Sequence, residues 1–265
     1  MQIELFNNGK PVEWGKPDSF VTAIMCALSM SFPGGEDFFI DSLQRGFADL
    51  SPQLKEKWKS EIDRFCKEEM NHSRAHVIHN QKNIDTYGFV NNWSTRTARR
   101  VARIKGKNSR HYVASTAAIE HLTTILACWV LQNQHILDNA DPATKKLWVW
   151  HAVEEINHRK VAIDLYRDLD GSEEWRIKWM RAMYILNLIE LVRQTTSNVW
   201  RMGGFFKLST WINAYKIMFS RNGVFRWSYP HFMAYGQRGY HISQQDGLIG
   251  ACLENHLKRN LIQSK

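Results

Sequence analysis

Glutamate and histidine recur in this chain at a spacing that could hold metal ions. Glu155 and His158 stand at i and i+3, so on a helix both side chains leave from one face. Glu69 and His72 repeat the pattern. A carboxylate beside an imidazole suits iron, manganese or zinc. One Glu-x-x-His arises readily by chance on a solvated helix, but here each copy also has a glutamate upstream. Glu36 lies 33 residues before Glu69, and Glu120 lies 35 before Glu155. One Glu from each of two helices and Glu-x-x-His from two others make the ligand set of a dinuclear carboxylate bundle. The expected partition gives Glu36, Glu69 and His72 to one ion and Glu120, Glu155 and His158 to the other. Glu69 and Glu155 are the candidate bridges.

The alternative is surface charge on amphipathic helices, the usual fate of Glu-Glu pairs such as Glu68-Glu69 and Glu154-Glu155. The flanks argue against it. Val153 and Ile156 surround Glu155, Ala117-Ala118-Ile119 precedes Glu120, and Phe38-Phe39-Ile40 lies just beyond Glu36. Carboxylates set in apolar helix faces are costly unless paired or metal-bound. His76 lies one turn after His72, and His151 one turn before Glu155. If their helices run antiparallel, both point to the same end, as extra ligands, partners of ligands or a proton relay. Glu69, Glu155, His76 and His151 are therefore the candidate catalytic groups. His79, His121 and His135 read as surface or core histidines. No HExxH, GxSxG, P-loop or GxGxxG occurs.

These residues need four helices to position them. Val21–Met30 reads as a short apolar helix, which Ser31-Phe-Pro-Gly-Gly35 should break. A helix then runs from about residue 35 to 49, and a second from a Ser51 N-cap to about 84. The turn at Ser51-Pro52 lies roughly 20 Å of helix from Glu36 and 20–25 Å from Glu69, at about 1.5 Å per residue. An antiparallel pair thus sets both carboxylates at one height. The second hairpin behaves alike, with helices from about 111 to 137 and from 142 to about 169. Between the hairpins, residues 87–110 must cross from one end of the bundle to the other. The expected organisation is an arm and short helix over 1–30, the metal-binding bundle over 31–170, and an aromatic helical extension over 171–265 packed on it. The fold class is all-α.

Length and composition agree with one sizeable core, since 44% of 265 residues are apolar. Four scattered cysteines form no CxxC, which points to free thiols in a reducing compartment. No signal-peptide pattern opens the chain and the longest apolar run, 183–192, is interrupted, so the expected localisation is cytoplasmic. Lys and Arg exceed Asp and Glu by 35 to 26. Seven of the cations (Arg96, Arg99, Arg100, Arg103, Lys105, Lys107, Arg110) fall in the crossover, with no acid from residue 86 to 119. An anionic membrane surface or an acidic carrier could dock on residues 96–110. Aromatic residues are too sparse there for single-stranded nucleic acid, and nucleic acid is not an expected partner. The aromatic C-terminal third should pack on the bundle or on a second subunit, giving a homodimer.

Four blocks carry a resemblance. They are Ala27-Leu-Ser-Met-Ser-Phe-Pro-Gly-Gly-Glu36, Glu68-Glu-Met-Asn-His-Ser-Arg-Ala-His76, Ala118-Ile-Glu120, and Trp150-His-Ala-Val-Glu-Glu-Ile-Asn-His158. Together they resemble the bacterial family described as predicted metal-dependent hydrolases, ferritin-like in appearance. Near the C-terminus, Tyr240-His241-Ile242 departs from that family's Phe-His-Pro. The resemblance implies a ferritin-like four-helix bundle. The site chemistry leaves two enzyme readings and one non-enzymatic reading. The first expectation is a di-iron site activating O2 to oxidise an organic or lipid-like substrate, with manganese or zinc as alternative metals. The second is hydrolysis with a metal-activated water. The third is non-catalytic metal binding.

Overall fold

The computed structural model describes residues 20–263, which form ten α-helices and two short 3-10 turns, with no strand among the described residues. The expected arm over 1–19 lies outside them. The helices are α1 (Phe20–Ala48), α2 (Pro52–Tyr87), α3 (Asn92–Ile104), α4 (Ser109–Gln132) and α5 (Pro142–His158), then α6 (Val161–Asp168) and α7 (Glu173–Arg201). The chain ends with α8 (Leu208–Phe219), α9 (Val224–Tyr235) and α10 (Asp246–Gln263). Helices α1, α2, α4 and α5 form the bundle, α7 lies along α1 and α4, α8 packs on α1, and α9 packs on α4 and α8. The all-α expectation holds.

The expected break at Ser31–Gly35 does not occur, and α1 runs unbroken through Pro33. The expected boundary between residues 30 and 31 therefore falls inside a helix. Proline has no N–H to give to the carbonyl of Ser29, and it crowds that turn. A side chain from α2 supplies what is missing: Asn80 Nδ2 donates to the Ser29 carbonyl at 2.9 Å. Asn91 Nδ2 does the same for the next carbonyl, Met30, at 2.9 Å. The helix survives because its neighbour satisfies the groups that proline frees.

The N-cap of α2 is as expected, with Ser51 accepting from Leu54 N at 3.4 Å, and Gly88 closes the helix with φ +67°. The expected helix from 142 to 169 is instead split just after His158. There the Glu155 carbonyl accepts from Thr124 Oγ1 at 3.3 Å, and the Ile156 carbonyl from Arg159 Nη1 at 2.9 Å. Two side chains thus occupy acceptors that the next helical turn would have used. The crossover is a helix, α3, bound to α7 through buried Glu190, which contacts Arg96 and Arg100. Those two cations are committed inside the fold and do not belong to a free basic surface. The C-terminal third is helical, and α7 packs directly on the bundle.

Two apolar clusters fill the bundle. One holds Phe38, Leu43, Phe65, Val113 and Leu165; the other holds Phe20, Met25, Trp129 and Trp148. On α1, α2 and α4 the candidate ligands fall between residues of the two clusters in sequence, and those of α5 fall between Trp148 and Val161 at the start of α6. The polar layer is therefore closed above and below by packed side chains. At Gly46 a Cβ would lie 2.8 Å from Val113 Cγ2, so α1 approaches α4 there at a distance only glycine allows. By length and composition α4 could cross a membrane, but most of it is buried in the bundle as its central helix.

Candidate metal centre

All eight expected site residues are buried and lie on the four bundle helices. Glu36 comes from α1, Glu69, His72 and His76 from α2, Glu120 from α4, and His151, Glu155 and His158 from α5. Ligand atoms of Glu69, His72, Glu155 and His158 lie within 4.8 Å of one another. Those of Glu36, His72 and His151 form a second such group. The grouping differs from the expected partition, because His72 is common to both and His151 joins Glu36. Glu120 stands outside both groups, fully buried, and after burial itself Glu155 and Glu69 act on its charge most strongly.

Each imidazole of the Glu-x-x-His pairs is held from the opposite helix. His72 Nε2 donates to Glu154 Oε2 at 2.7 Å, and His158 Nε2 donates to Glu68 Oε2 at 2.9 Å. Trp150 Nε1 fixes the other oxygen of Glu154 at 2.7 Å. Carboxylates that hold the far nitrogen of a ligating imidazole set its tautomer and orientation. The Nδ1 atoms are left facing inward. His158 Nδ1 is 2.6 Å from Glu69 Oε1, and His72 Nδ1 is 3.5 Å from Glu155 Oε1. Sequence reading gives Glu68 and Glu154 no role. The signal that could have found them is the repeat of both glutamates, Glu-Glu-x-x-His, rather than of one.

A second chain of hydrogen bonds reaches His151, and its direction follows from one backbone carbonyl. Asn80 must turn its amide nitrogen to the Ser29 carbonyl, so its oxygen faces Ser29 Oγ, which donates to it at 2.6 Å. Having given its proton, that hydroxyl accepts from His76 Nδ1 at 2.8 Å. Burial, then the neighbouring His151, pushes the His76 pKa well down, keeping it neutral. His76 Nε2 then accepts from His151 Nδ1 at 2.7 Å. Burial also lowers His151, so its Nε2 carries a bare lone pair. That lone pair lies 2.9 Å from Glu155 Oε1 and 3.7 Å from Glu36 Oε1. Lone pair against carboxylate is repulsive unless a cation or a shared proton sits between them.

The electrostatics tell the same story. Burial, then Glu69 and Glu155, raises the Glu36 pKa well above the usual range. Burial, then Glu155 and Glu69, does the same to Glu120. For His72, burial opposes the charge, but Glu154 and Glu69 outweigh it and lift the pKa to about 10. His158 is lifted against burial to about 9, chiefly by Glu69. Glu155 is held down to about 2 despite burial, by a proton shared with His151 Nε2 first and then by the charged His72 and His158. Four inward carboxylates are thus crowded into a volume that needs cations. Both oxygens of Glu36 and Glu120, Oε2 of Glu69 and Nδ1 of His72 are buried without a hydrogen-bond partner, while His158 Nδ1 and Glu69 Oε1 have only each other. Buried polar atoms are rarely left so. Orphaned oxygens and inward imidazole nitrogens, braced from behind, fit a pair of hard-to-borderline cations.

Glu36 and Glu155 also line a cavity of about 680 Å3. Its wall is otherwise mostly apolar, with Phe32, Phe39, Ile119, Leu122 and Leu126 near the bundle and Tyr184 and Leu191 on α7. His79 and His121 are core residues as read from the sequence, and His135 is exposed. The His121 ring stacks on Tyr235 at 4.6 Å and donates through Nε2 to the His231 carbonyl at 3.1 Å.

Comparison with known proteins adds one match. The sequence model of a family described as predicted metal-dependent hydrolase matches residues 1–246, nearly the whole chain. No curated protein and no solved structure matches.

Proposed function

The chain belongs to the predicted metal-dependent hydrolase family, and we propose that it hydrolyses an apolar, chain-like substrate at a dinuclear metal site. The observation that carries this reading is that the two carboxylates Glu36 and Glu155, beside inward imidazoles, form part of the wall of a largely apolar cavity. Cavities of about 300–1,000 Å3 lined by apolar groups with a few convergent polar ones are the usual form of small-molecule sites.

In this reading Glu36, Glu69, His72, Glu120, Glu155 and His158 hold the ions, with His151 Nε2 as a further nitrogen ligand. Two such ions, when bound, supply Lewis acidity that polarises a scissile group and acidifies water. The rest belongs to the chain. Glu68 and Glu154 keep Nδ1 of His158 and His72 aimed inward. The Ser29–His76–His151 chain, a buried path of hydrogen bonds, presents an unprotonated Nε2. Phe32 packs edge-on against both His76 and His151 at 4.7 and 4.6 Å, sealing that path from the cavity. The apolar wall binds the substrate chain and leaves its reacting group beside Glu36 and Glu155.

One observation favours a second reading, oxidation with O2. Beyond the carboxylates, the polar groups on the cavity wall are a few hydroxyls, Asn187 and three arginines, of which Arg100 is already bound to Glu190. Donors to steady a hydrolytic leaving group are few, whereas oxidation of a hydrocarbon segment asks for none. One experiment separates the two. Protein loaded with zinc or manganese without air is assayed on long-chain esters and amides. Iron-loaded protein is assayed on long-chain substrates with and without oxygen. Oxygen-independent cleavage supports hydrolysis, and turnover confined to iron and air replaces it with oxidation.

A further inference from the structure

The outer end of the cavity is marked by residues that both line it and stand exposed: Ile185 and Leu188 on α7, and Phe225, Tyr229 and Met233 on α9. Rings continue outward from that mouth. Tyr229 meets Phe225 at 6.0 Å, Phe225 meets Phe219 at 5.7 Å, and Phe219 meets Tyr215 at 6.0 Å. The same segment exposes Phe206 by 85% and Leu208 by 75%, with Trp211 and Ile212 beside them. An apolar surface of this extent marks an interaction site.

Charge selects the partner. From residue 191 to 245 there is no Asp or Glu, while Arg193, Arg201, Lys207, Lys216, Arg221, Arg226 and Arg238 all occur. All seven are exposed. At the cavity itself the exposed cations are Arg103 and Arg181. A two-fold dimer through this face would bring each cationic set against its copy. Trp, Tyr and Phe interleaved with Lys and Arg on a surface helix are instead the composition of an interfacial anchor.

We propose that the α7–α9 face docks on an anionic lipid bilayer, so that the cavity opens directly against the acyl layer. That the cavity then takes its substrate from the bilayer rests on the functional reading above; the docking does not. Residues 96–110, with Arg96 and Arg100 committed to Glu190, contribute through Arg103 at the cavity and not as the main contact.

Co-sedimentation with phosphatidylglycerol-containing and pure phosphatidylcholine vesicles tests it, at low and high salt. The wild-type chain should bind the anionic vesicles and be released by salt. K216Q/R221Q should weaken that binding about 30-fold, at about 5-fold per cation. F206S/L208S/W211S should abolish it with helical content unchanged. Glu155→Ala, which strikes the metal site alone, should bind vesicles like wild type, so a failed metal site and a failed docking face are told apart. Absence of binding, or equal binding to neutral and anionic vesicles, would overturn the proposal. So would a wild-type dimer that the serine variant dissociates without any vesicle binding.

Discussion

At each histidine of the Glu-x-x-His pairs, one ring nitrogen belongs to an outer carboxylate and the other to the interior. This division of labour makes Glu68 and Glu154 testable. Glu68→Ala or Glu154→Ala should lower metal affinity about 10–100-fold while leaving the ligands in place; equilibrium titration with Zn(II) or Fe(II) measures it, and unchanged affinity would return both to ordinary surface acids. Protons report the same arrangement. His72 and His158 have folded pKa values of about 10 and 9, above the unfolded value of about 6.5. Their contribution to metal-free stability is complete below that value and is lost as pH rises through 9 to 10. Glu36 and Glu120, raised by burial, also favour the protonated folded state and add to the alkaline loss. Glu155 acts oppositely, stabilising above the ordinary glutamate range and losing its effect only as pH falls toward about 2. Melting temperature of the metal-free protein should therefore fall from pH 7 to 10. Metal addition at pH 7 should release protons in an unbuffered titration; a flat profile with no proton release would contradict this assignment.

At the scale of helices, Pro33 shows why a strong local signal misled. Proline and two glycines in sequence ordinarily stop a helix, and nothing within five residues says otherwise. The compensation comes from Asn80 and Asn91, about fifty and sixty positions away, so it is invisible to local reading. The same contact orders the Ser29–His76–His151 chain, which ties the proline-bearing turn of α1 to the tautomer of a site residue. Asn80→Ala should destabilise by about 1–3 kcal/mol, the cost of a buried acceptor left unmet. Adding Pro33→Ala should recover part of this by restoring an N–H; a neutral Asn80→Ala in thermal melts would remove the explanation. The crossover gives a second case. Its arginines look free in sequence because their partner, Glu190, lies ninety residues away and is fully buried. Arg100 and Arg96 hold the Glu190 pKa down against burial. The pairing thus stabilises above about pH 4.3 and fades as pH falls below it. Glu190→Gln should cost about 2 kcal/mol, between the exposed and buried limits for ion pairs, measured by denaturant unfolding at pH 7. The four ligand-bearing helices were legible because their glutamates and histidines repeat in register. The split after His158 was not, because it depends on Thr124 and Arg159 reaching particular carbonyls.

Across the whole molecule, a polar layer closed by two apolar cores is joined to the surface by one cavity, whose mouth lies on an acid-free aromatic face. Residue types and spacing alone disclosed the centre, since few other folds ask for two Glu-x-x-His pairs at one height. They could not disclose the cavity, whose wall is drawn from α1, α3, α4, α5, α7, α8 and α9 and exists only once these pack. The central claim is that the buried carboxylates exist to hold two cations. Metal analysis of the purified chain beside Glu69→Ala and Glu155→Ala tests it most directly. The wild type should hold about two equivalents of transition metal, and each variant should lose at least one, with helical content retained. Two full equivalents in both variants, or none in wild-type protein incubated with iron, manganese and zinc, would contradict it.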